Sequence, residues 1–290
     1  MNRWILAARP PTLWAAVAPV LVGAATAWAD DAFDWPAFVA ILASALAIQV
    51  GVNFANDVAD AGTGADNEDR IGPQRAVASG LVSPKEMWRA IGVAFGVAAL
   101  IGFYLIARGG PVILVIGVLS VIAALGYTNG PAPYGYRGLG ELFVFVFFGL
   151  VATIGTRWVF DRTAPASVWV GGVVMGLLAT AILVANNVRD IETDRSAGKR
   201  TLAVMFGRTF GRWLYALSTI GAIVVALVAS VAGTFPTAAL ITALALVPAV
   251  MLTRTLFTEV AGPPLIGVLK GTARLQIVVA ALLAVGVIVG

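Results

Sequence analysis

Apolar residues run through this chain in long unbroken blocks, not in the alternating or one-face patterns of half-buried elements. Reading those blocks between polar residues and Pro/Gly breaks gives nine, at about 12–29, 36–55, 86–107, 111–129, 139–160, 166–186, 211–232, 236–257 and 272–290. Each approaches the roughly 20 apolar residues that a helix needs to cross a bilayer. None alternates as the strands of a membrane barrel do. Several starts carry helix-entry chemistry: Asp34 before Pro36, Ser83 before Pro84 and Thr234 before Pro236. The pattern predicts an all-α integral membrane protein, a bundle of nine transmembrane helices forming a single domain over residues 1–290.

Composition agrees and narrows the chemistry. Of the 290 residues 60% are hydrophobic and 12% charged, about half the charge of a typical soluble domain, so the chain cannot cover itself in water. Cysteine is absent, which excludes disulfides and thiolate metal sites. Histidine is absent too, removing the usual zinc, haem and general-base ligand. Any metal is therefore held by oxygen, as magnesium, manganese or calcium are. The net charge of +4 matters less than its placement. With the N-terminus inside, all of the 19 basic residues except Arg108, Arg157 and Arg162 fall on the cytoplasmic side. This predicts a multi-pass protein of the cell (plasma) membrane with a cytoplasmic N-terminus, whose partner is the lipid bilayer and not nucleic acid. Arg3, Arg9 and Ala27-Trp28-Ala29 imitate a secretory signal and its cleavage site, but Pro10, Pro11 and Pro19 suit a signal's apolar core poorly, so the first helix is expected to stay. Trp4, Trp28, Trp35, Trp88 and Trp158 read as an interfacial belt.

Charge gathers in two places. NFANDVADAGTGADNEDRIGPQR, residues 53 to 75, follows the second block, and ANNVRDIETDRSAGKRTLAVMFGR, residues 185 to 208, follows the sixth. These define the expected cytoplasmic motif loops, 56–85 and 187–210. Asn53, Asp57 and Asp60 are spaced four and three apart; Asn186, Asp190 and Asp194 four and four. Each set lies on one face of a helix at its membrane end, and each leads to two basic residues, Arg70 and Arg75 or Lys199 and Arg200. The two segments begin about 133 residues apart, near half the chain, as a weak internal duplication would place them. Carboxylates one turn apart repel unless a cation sits between them. Magnesium takes few carboxylates and completes its octahedron with water and phosphate oxygens. Two such helices facing each other could hold magnesium ions that grip a diphosphate, with the basic residues taking the remaining charge and the apolar bundle accepting a hydrocarbon tail. Glu68, Asp69, Glu86, Arg89, Glu259 and Arg200 read as solvated surface charges.

At these residues the chain resembles a family. N-x-x-x-D-x-x-D and N-x-x-x-D-x-x-x-D are similar to the two aspartate-rich motifs of the UbiA superfamily of intramembrane prenyltransferases, a nine-helix fold. N-F-A-N-D-V-A-D with D-R-I-G-P-Q-R (69–75), Y-T-N-G-P-A-P-Y-G-Y-R-G-L-G-E-L-F-V-F-V-F-F-G (127–149) and V-A-N-N-V-R-D-I-E-T-D (184–194) resemble the MenA-type 1,4-dihydroxy-2-naphthoate polyprenyltransferases. Asn129 stands where that pattern commonly has glycine.

The resemblance implies magnesium-dependent transfer of a polyprenyl group from polyprenyl diphosphate to 1,4-dihydroxy-2-naphthoate with loss of carbon dioxide, giving demethylmenaquinone. It implies two magnesium ions, one on Asp57 and Asp60 and one on Asp190 and Asp194, with Asp66 a further candidate ligand. Asn53, Asn56, Arg70, Arg75, Asn186 and Lys199 would bind the diphosphate. Tyr127, Tyr134, Tyr136, Phe143 and Phe147 would line the path of the cation and acceptor, because aromatic faces stabilise positive charge. Arg137, Lys270 and Arg9 are the candidates for the acceptor carboxylate. Within the superfamily a 4-hydroxybenzoate enzyme shares the two motifs, and outside the enzymes a secondary transporter with acids at its midplane is the rival.

Overall fold

The computed structural model describes residues 2–63, 75–128, 133–260 and 262–290, without the side chains of residues 60, 62, 63 and 263. Twelve α-helices follow in order: α1 (Arg3–Ala8), α2 (Pro10–Ala29), α3 (Trp35–Thr63), α4 (Pro84–Gly109), α5 (Pro111–Gly126), α6 (Gly140–Val144), α7 (Ala152–Asp161), α8 (Ala166–Arg189), α9 (Ile191–Ser196), α10 (Leu202–Val231), α11 (Leu246–Thr258) and α12 (Pro263–Val289). A π-helical stretch, Phe145–Val151, fuses α6 and α7 into one span, and a 3-10 stretch, Thr237–Ala245, leads into α11. Among the described residues there is no strand.

Each predicted apolar block is largely helical, yet among the described residues 8 helices are long and apolar enough to cross a membrane. The exception is α5, whose 16 residues reach about 24 Å at the usual 1.5 Å rise, short of a roughly 30 Å hydrocarbon core. Where nine spans were expected, the described residues form eight full spans and one short helix.

Two of the three entry signals work as local chemistry predicts, whereas Thr234 caps no helix and the 3-10 stretch after Pro236 starts without a side-chain cap bond. Asp34 accepts the N–H of Ala37 at 3.1 Å, and Ser83 and Glu86 form a reciprocal capping box before α4, with Pro84 in its first turn. Exits are less legible. Helix α3 continues through Asp57 and Asp60 to Thr63, so the first loop begins later than residue 56. Residues 187–210 are mostly helical as well, because α8 ends at Arg189, α9 follows directly and α10 starts at Leu202. Helix α10 starts early because Gly207, at φ 87°, lets one helical turn precede the main helix at an angle. There Arg208 donates to the carbonyls of Val188 and Val260 at 2.9 and 2.8 Å. Arg212 does so to those of Leu256 and Glu259 at 2.8 and 2.9 Å. Both thus close the carbonyl ends of α8 and α11.

Helix α8 is the axis of the bundle, packing on α10, α12, α2 and the π stretch. Its core contacts include Val174, Met175 and Leu178 against Ile223, Val279 and Leu283. In lipid, helices associate through close packing and not through water exclusion, which favours small residues. One close approach on α8 uses three glycines. A Cβ on Gly149 would lie 2.4 Å from the Cα of Gly176 and 2.6 Å from the carbonyl oxygen of Gly172. Phe145, Phe147 and the rest of the π stretch are thereby pressed against α8, beside the cavity described next. At the far end of the bundle Arg157, 2% exposed, is held by Asp30 at 2.8 Å and Asp161 at 2.5 Å. Arg108 pairs with Asp34 at 3.0 Å, and Arg162 donates to the carbonyl of Arg108 at 2.8 Å. The three basic residues set apart by the charge pattern thus occupy one end, away from both acidic motifs.

Candidate active site

A cavity of about 790 Å³ opens at the motif end of the bundle. Arg9, Asn53, Asn56, Arg75, Asn186, Asp190, Asp194 and Lys199 line its mouth. Below them it is apolar, bounded by Ile41, Phe95, Leu105, Ile113, Phe147 and Val159 among others. From Asn56 to Ile41 it follows α3 for 15 residues, about 22 Å at helical rise. Both motifs therefore border one chamber.

The second motif keeps the helical ladder that its spacing predicts. Asp190 leaves helical geometry at φ −95° and ψ 14°, but its N–H still bonds to the carbonyl of Asn186 at 3.0 Å. The N–H of Asp194 bonds to that of Asp190 at 2.8 Å. Asn186, Asp190 and Asp194 thus stack along the cavity wall. Repulsion between the two buried carboxylates is relieved by cations. Arg189 grips Asp190 through Nε–Oδ1 at 2.6 Å and Nη2–Oδ2 at 2.5 Å. It also donates to Asn186 Oδ1 at 2.8 Å. Lys199 lies 3.7 Å from Asp194 and 4.9 Å over the ring of Tyr136.

The first motif is organised differently. Asn53 donates to the carbonyl of Ala8 at 2.8 Å and to Thr12 Oγ1 at 2.9 Å, tying α3 to the α1–α2 junction. Asp57, 1% exposed, accepts the N–H groups of Ala76 and Val77 at 3.2 and 2.9 Å and lies 3.8 Å from Arg9. It sits behind the cavity wall and anchors the chain where it returns at residues 75–77. Asp60 lies three residues further along α3, its side chain outside the described residues; Asp66, Glu68, Asp69, Arg70 and Asn129 lie outside them altogether.

The 127–149 stretch bridges the two motifs. At one end Thr128 donates to Asn56 Oδ1 at 3.0 Å. At the other Tyr136 receives the N–H of Arg200 on its carbonyl at 3.1 Å. Between them Tyr134 stacks on Phe143 at 4.0 Å and meets Tyr127 edge-on at 5.4 Å, and Phe143 leads on to Phe147 at 6.1 Å. The five predicted aromatics form one wall of the cavity. Of the three candidates for the acceptor carboxylate, Arg9 lines the cavity, Arg137 lines a side pocket with Arg200, and Lys270 lines neither.

Sequence reasoning missed three residues. Glu141, 7% exposed, accepts Nδ2 of Asn187 at 2.9 Å, and Asn187 is itself 4% exposed. An acid inside an apolar run is a functional signal in a membrane chain, and Glu141 carried it. Arg189 gave no such signal, because side chains of adjacent helical residues do not ordinarily face each other.

Among the described residues no three acids converge into a metal cluster. Asp190 and Asp194 nevertheless fit magnesium, which needs few carboxylates when phosphate oxygens complete its shell. A membrane bundle with a charged mouth over a long apolar chamber is built to hold an amphiphile with an anionic head and a hydrocarbon tail. The UbiA prenyltransferase family model matches residues 16–260, and the chain belongs to that family. A 1,4-dihydroxy-2-naphthoate octaprenyltransferase of Mycobacterium tuberculosis is 44% identical over 217 residues, 73% of either chain. The Escherichia coli enzyme of the same name is 39% identical over 227 residues, 76% of this chain and 74% of that one. A UbiA homolog from Archaeoglobus fulgidus bound to GPP and Mg2+ shares the fold, with a TM-score of 0.73 at 14% identity over 99% of each chain.

Proposed function

We propose that this chain transfers a polyprenyl group from polyprenyl diphosphate to 1,4-dihydroxy-2-naphthoate, releasing carbon dioxide and diphosphate and forming demethylmenaquinol, the reduced form of demethylmenaquinone. The observation that carries the reading is the single chamber in which the acidic–basic mouth and the aromatic wall meet above an apolar interior. The similarity to naphthoate octaprenyltransferases supports the choice of acceptor.

Arg75 and Lys199 at the mouth take diphosphate charge, with Arg70 five residues before Arg75 in sequence. Asn56 and Asn186, whose side-chain oxygens accept from Thr128 and Arg189, offer their amide N–H groups to its oxygens. Asn53 instead spends both of its N–H bonds on Ala8 and Thr12 and holds α3 in place. Asp190 and Asp194 would hold one magnesium ion and Asp57 with Asp60 a second. Asp57 accepts one backbone N–H on each oxygen, and each oxygen carries two lone pairs. Bound magnesium would supply the positive charge that makes diphosphate a good leaving group. The prenyl C–O bond breaks with its electron pair going to diphosphate, and the naphthoate carbon bearing the carboxylate forms the new C–C bond. The bond to the carboxylate then breaks, carbon dioxide leaves, and its electron pair restores the aromatic ring. No strong protein base is required, in keeping with a chain that has no histidine. Tyr134, Phe143 and Phe147 present ring faces to the developing cation, while the apolar walls keep water from it. Arg9, which lines the cavity, would receive the acceptor carboxylate. The distribution of basic residues supports a mouth that opens to the cytoplasm.

The test is an acceptor panel with one polyprenyl diphosphate and the purified protein in detergent. Dihydroxynaphthoate should be prenylated in preference to 4-hydroxybenzoate. The reverse preference overturns the acceptor assignment and leaves the family intact.

A further inference from the structure

The Glu141–Asn187 pair is buried, with Asn187 on the cavity wall. Glu141 lies outside both aspartate motifs, and Asn187 stands beside Asn186 at a position that the spacing of the second motif does not use. Among the described residues no Lys or Arg pairs with Glu141, although a buried acid in a membrane chain is costly unless it is used. Its visible partner is the Asn187 amide. A carboxylate only accepts, so Asn187 turns Nδ2 toward Glu141 and its Oδ1 away from it. Asn187 lies on the cavity wall on the row of Ala179 and Leu183, about 100° around α8 from the Ile182–Asn186–Asp190 row. That second row borders the aromatics: a Cβ on Gly140 would lie 3.2 Å from Leu183 and 3.5 Å from Tyr127.

An acceptor atom in that place discriminates between the two substrates. Diphosphate oxygens are acceptors and cannot bond to Asn187 Oδ1, whereas an aromatic hydroxyl is a donor and can. We propose that Asn187 binds a ring hydroxyl of the aromatic acceptor, and that Glu141 is a positioning residue that orients the Asn187 amide. The proposal rests on the acceptor class argued above and adds the residue that recognises it.

The experiment is a double-mutant cycle on KM and kcat, supported by inhibition with naphthoates lacking one hydroxyl. Asn187→Leu and Glu141→Leu should each raise KM for dihydroxynaphthoate about tenfold, the worth of one hydrogen bond, and leave KM for polyprenyl diphosphate unchanged. The double variant should be no worse than Asn187→Leu, because Glu141 acts through that amide. Should Glu141→Leu fail to fold, the inhibitors decide. The naphthoate missing the recognised hydroxyl should bind wild type about tenfold more weakly than the dihydroxy compound, and Asn187→Leu should treat the two alike. Multiplying effects in the double variant, a raised KM for the diphosphate instead, or equal inhibition of wild type by all naphthoates would overturn the inference. Failure of wild type to prenylate dihydroxynaphthoate would instead remove the functional reading beneath it.

Discussion

Replacing Asp190 by alanine removes two things at once, and the structure shows how to separate them. Asp190 faces the cavity, but both of its oxygens are engaged by Arg189, whose side chain is 1% exposed. Among the described residues, apart from Asp190, the Arg189 side chain donates to Asn186 Oδ1 alone, and its Nη1 has no partner. Asp190→Ala leaves a buried guanidinium with one neutral contact, a loss of about 3–5 kcal/mol. That corresponds to a fall in Tm on the order of 10 °C at about 2–4 °C per kcal/mol. Removing a group that helps neutralise the leaving diphosphate should also lower turnover about a hundredfold or more. The double variant Arg189→Met with Asp190→Ala deletes the stranded charge together with its partner, and similar volume fills the space. Its Tm should return most of the way to wild type while its turnover stays low. Thermal unfolding in detergent and prenyl transfer from a radiolabelled donor measure the two quantities on the same preparations. Recovery of activity in the double variant would refute the metal role, because neutralising Arg189 would then be the whole duty of Asp190. A wild-type Tm for Asp190→Ala alone would refute the energetics of the buried pair.

Removal of divalent metal by a chelator should abolish turnover and added magnesium should restore it; undiminished turnover in chelator contradicts the assignment of Asp190 and Asp194. Gly149→Val should lower stability by about 1–3 kcal/mol, since its Cβ meets backbone atoms of Gly176 and Gly172 that cannot rotate away. It should also raise KM for the donor, because Phe147 rides on the same π stretch; an unchanged Tm would show that the close approach is not tight.

Much of this protein was legible before folding, for reasons that are local. Apolar blocks become membrane helices because a backbone in lipid must satisfy its own hydrogen bonds, so every block found its helix. The starts at Asp34 and Ser83 were legible because a cap needs only its own first turn. The ladder of Asn186, Asp190 and Asp194 was legible because spacings of four repeat a helical turn, and it survived the break at Asp190. Helix ends were harder. The chain past residue 56 is polar enough to look like a loop, but α3 keeps its hydrogen bonds to Thr63. The spacing of Asp57 and Asp60 shows a shared helix face, but nothing in it shows that Asp57 also accepts the N–H groups of Ala76 and Val77.

The sequence by itself determined the solvent, the helices and the two acidic faces, since hydropathy and a period of 3.6 residues are properties of short stretches. Tertiary structure decided which residues share a chamber. Asn56 meets Thr128, Tyr136 meets Arg200 and Glu141 meets Asn187 across separations of 46 to 72 residues. Packing of α6 and the π stretch on the glycines of α8 brings such partners together, and no spacing along one helix encodes that approach.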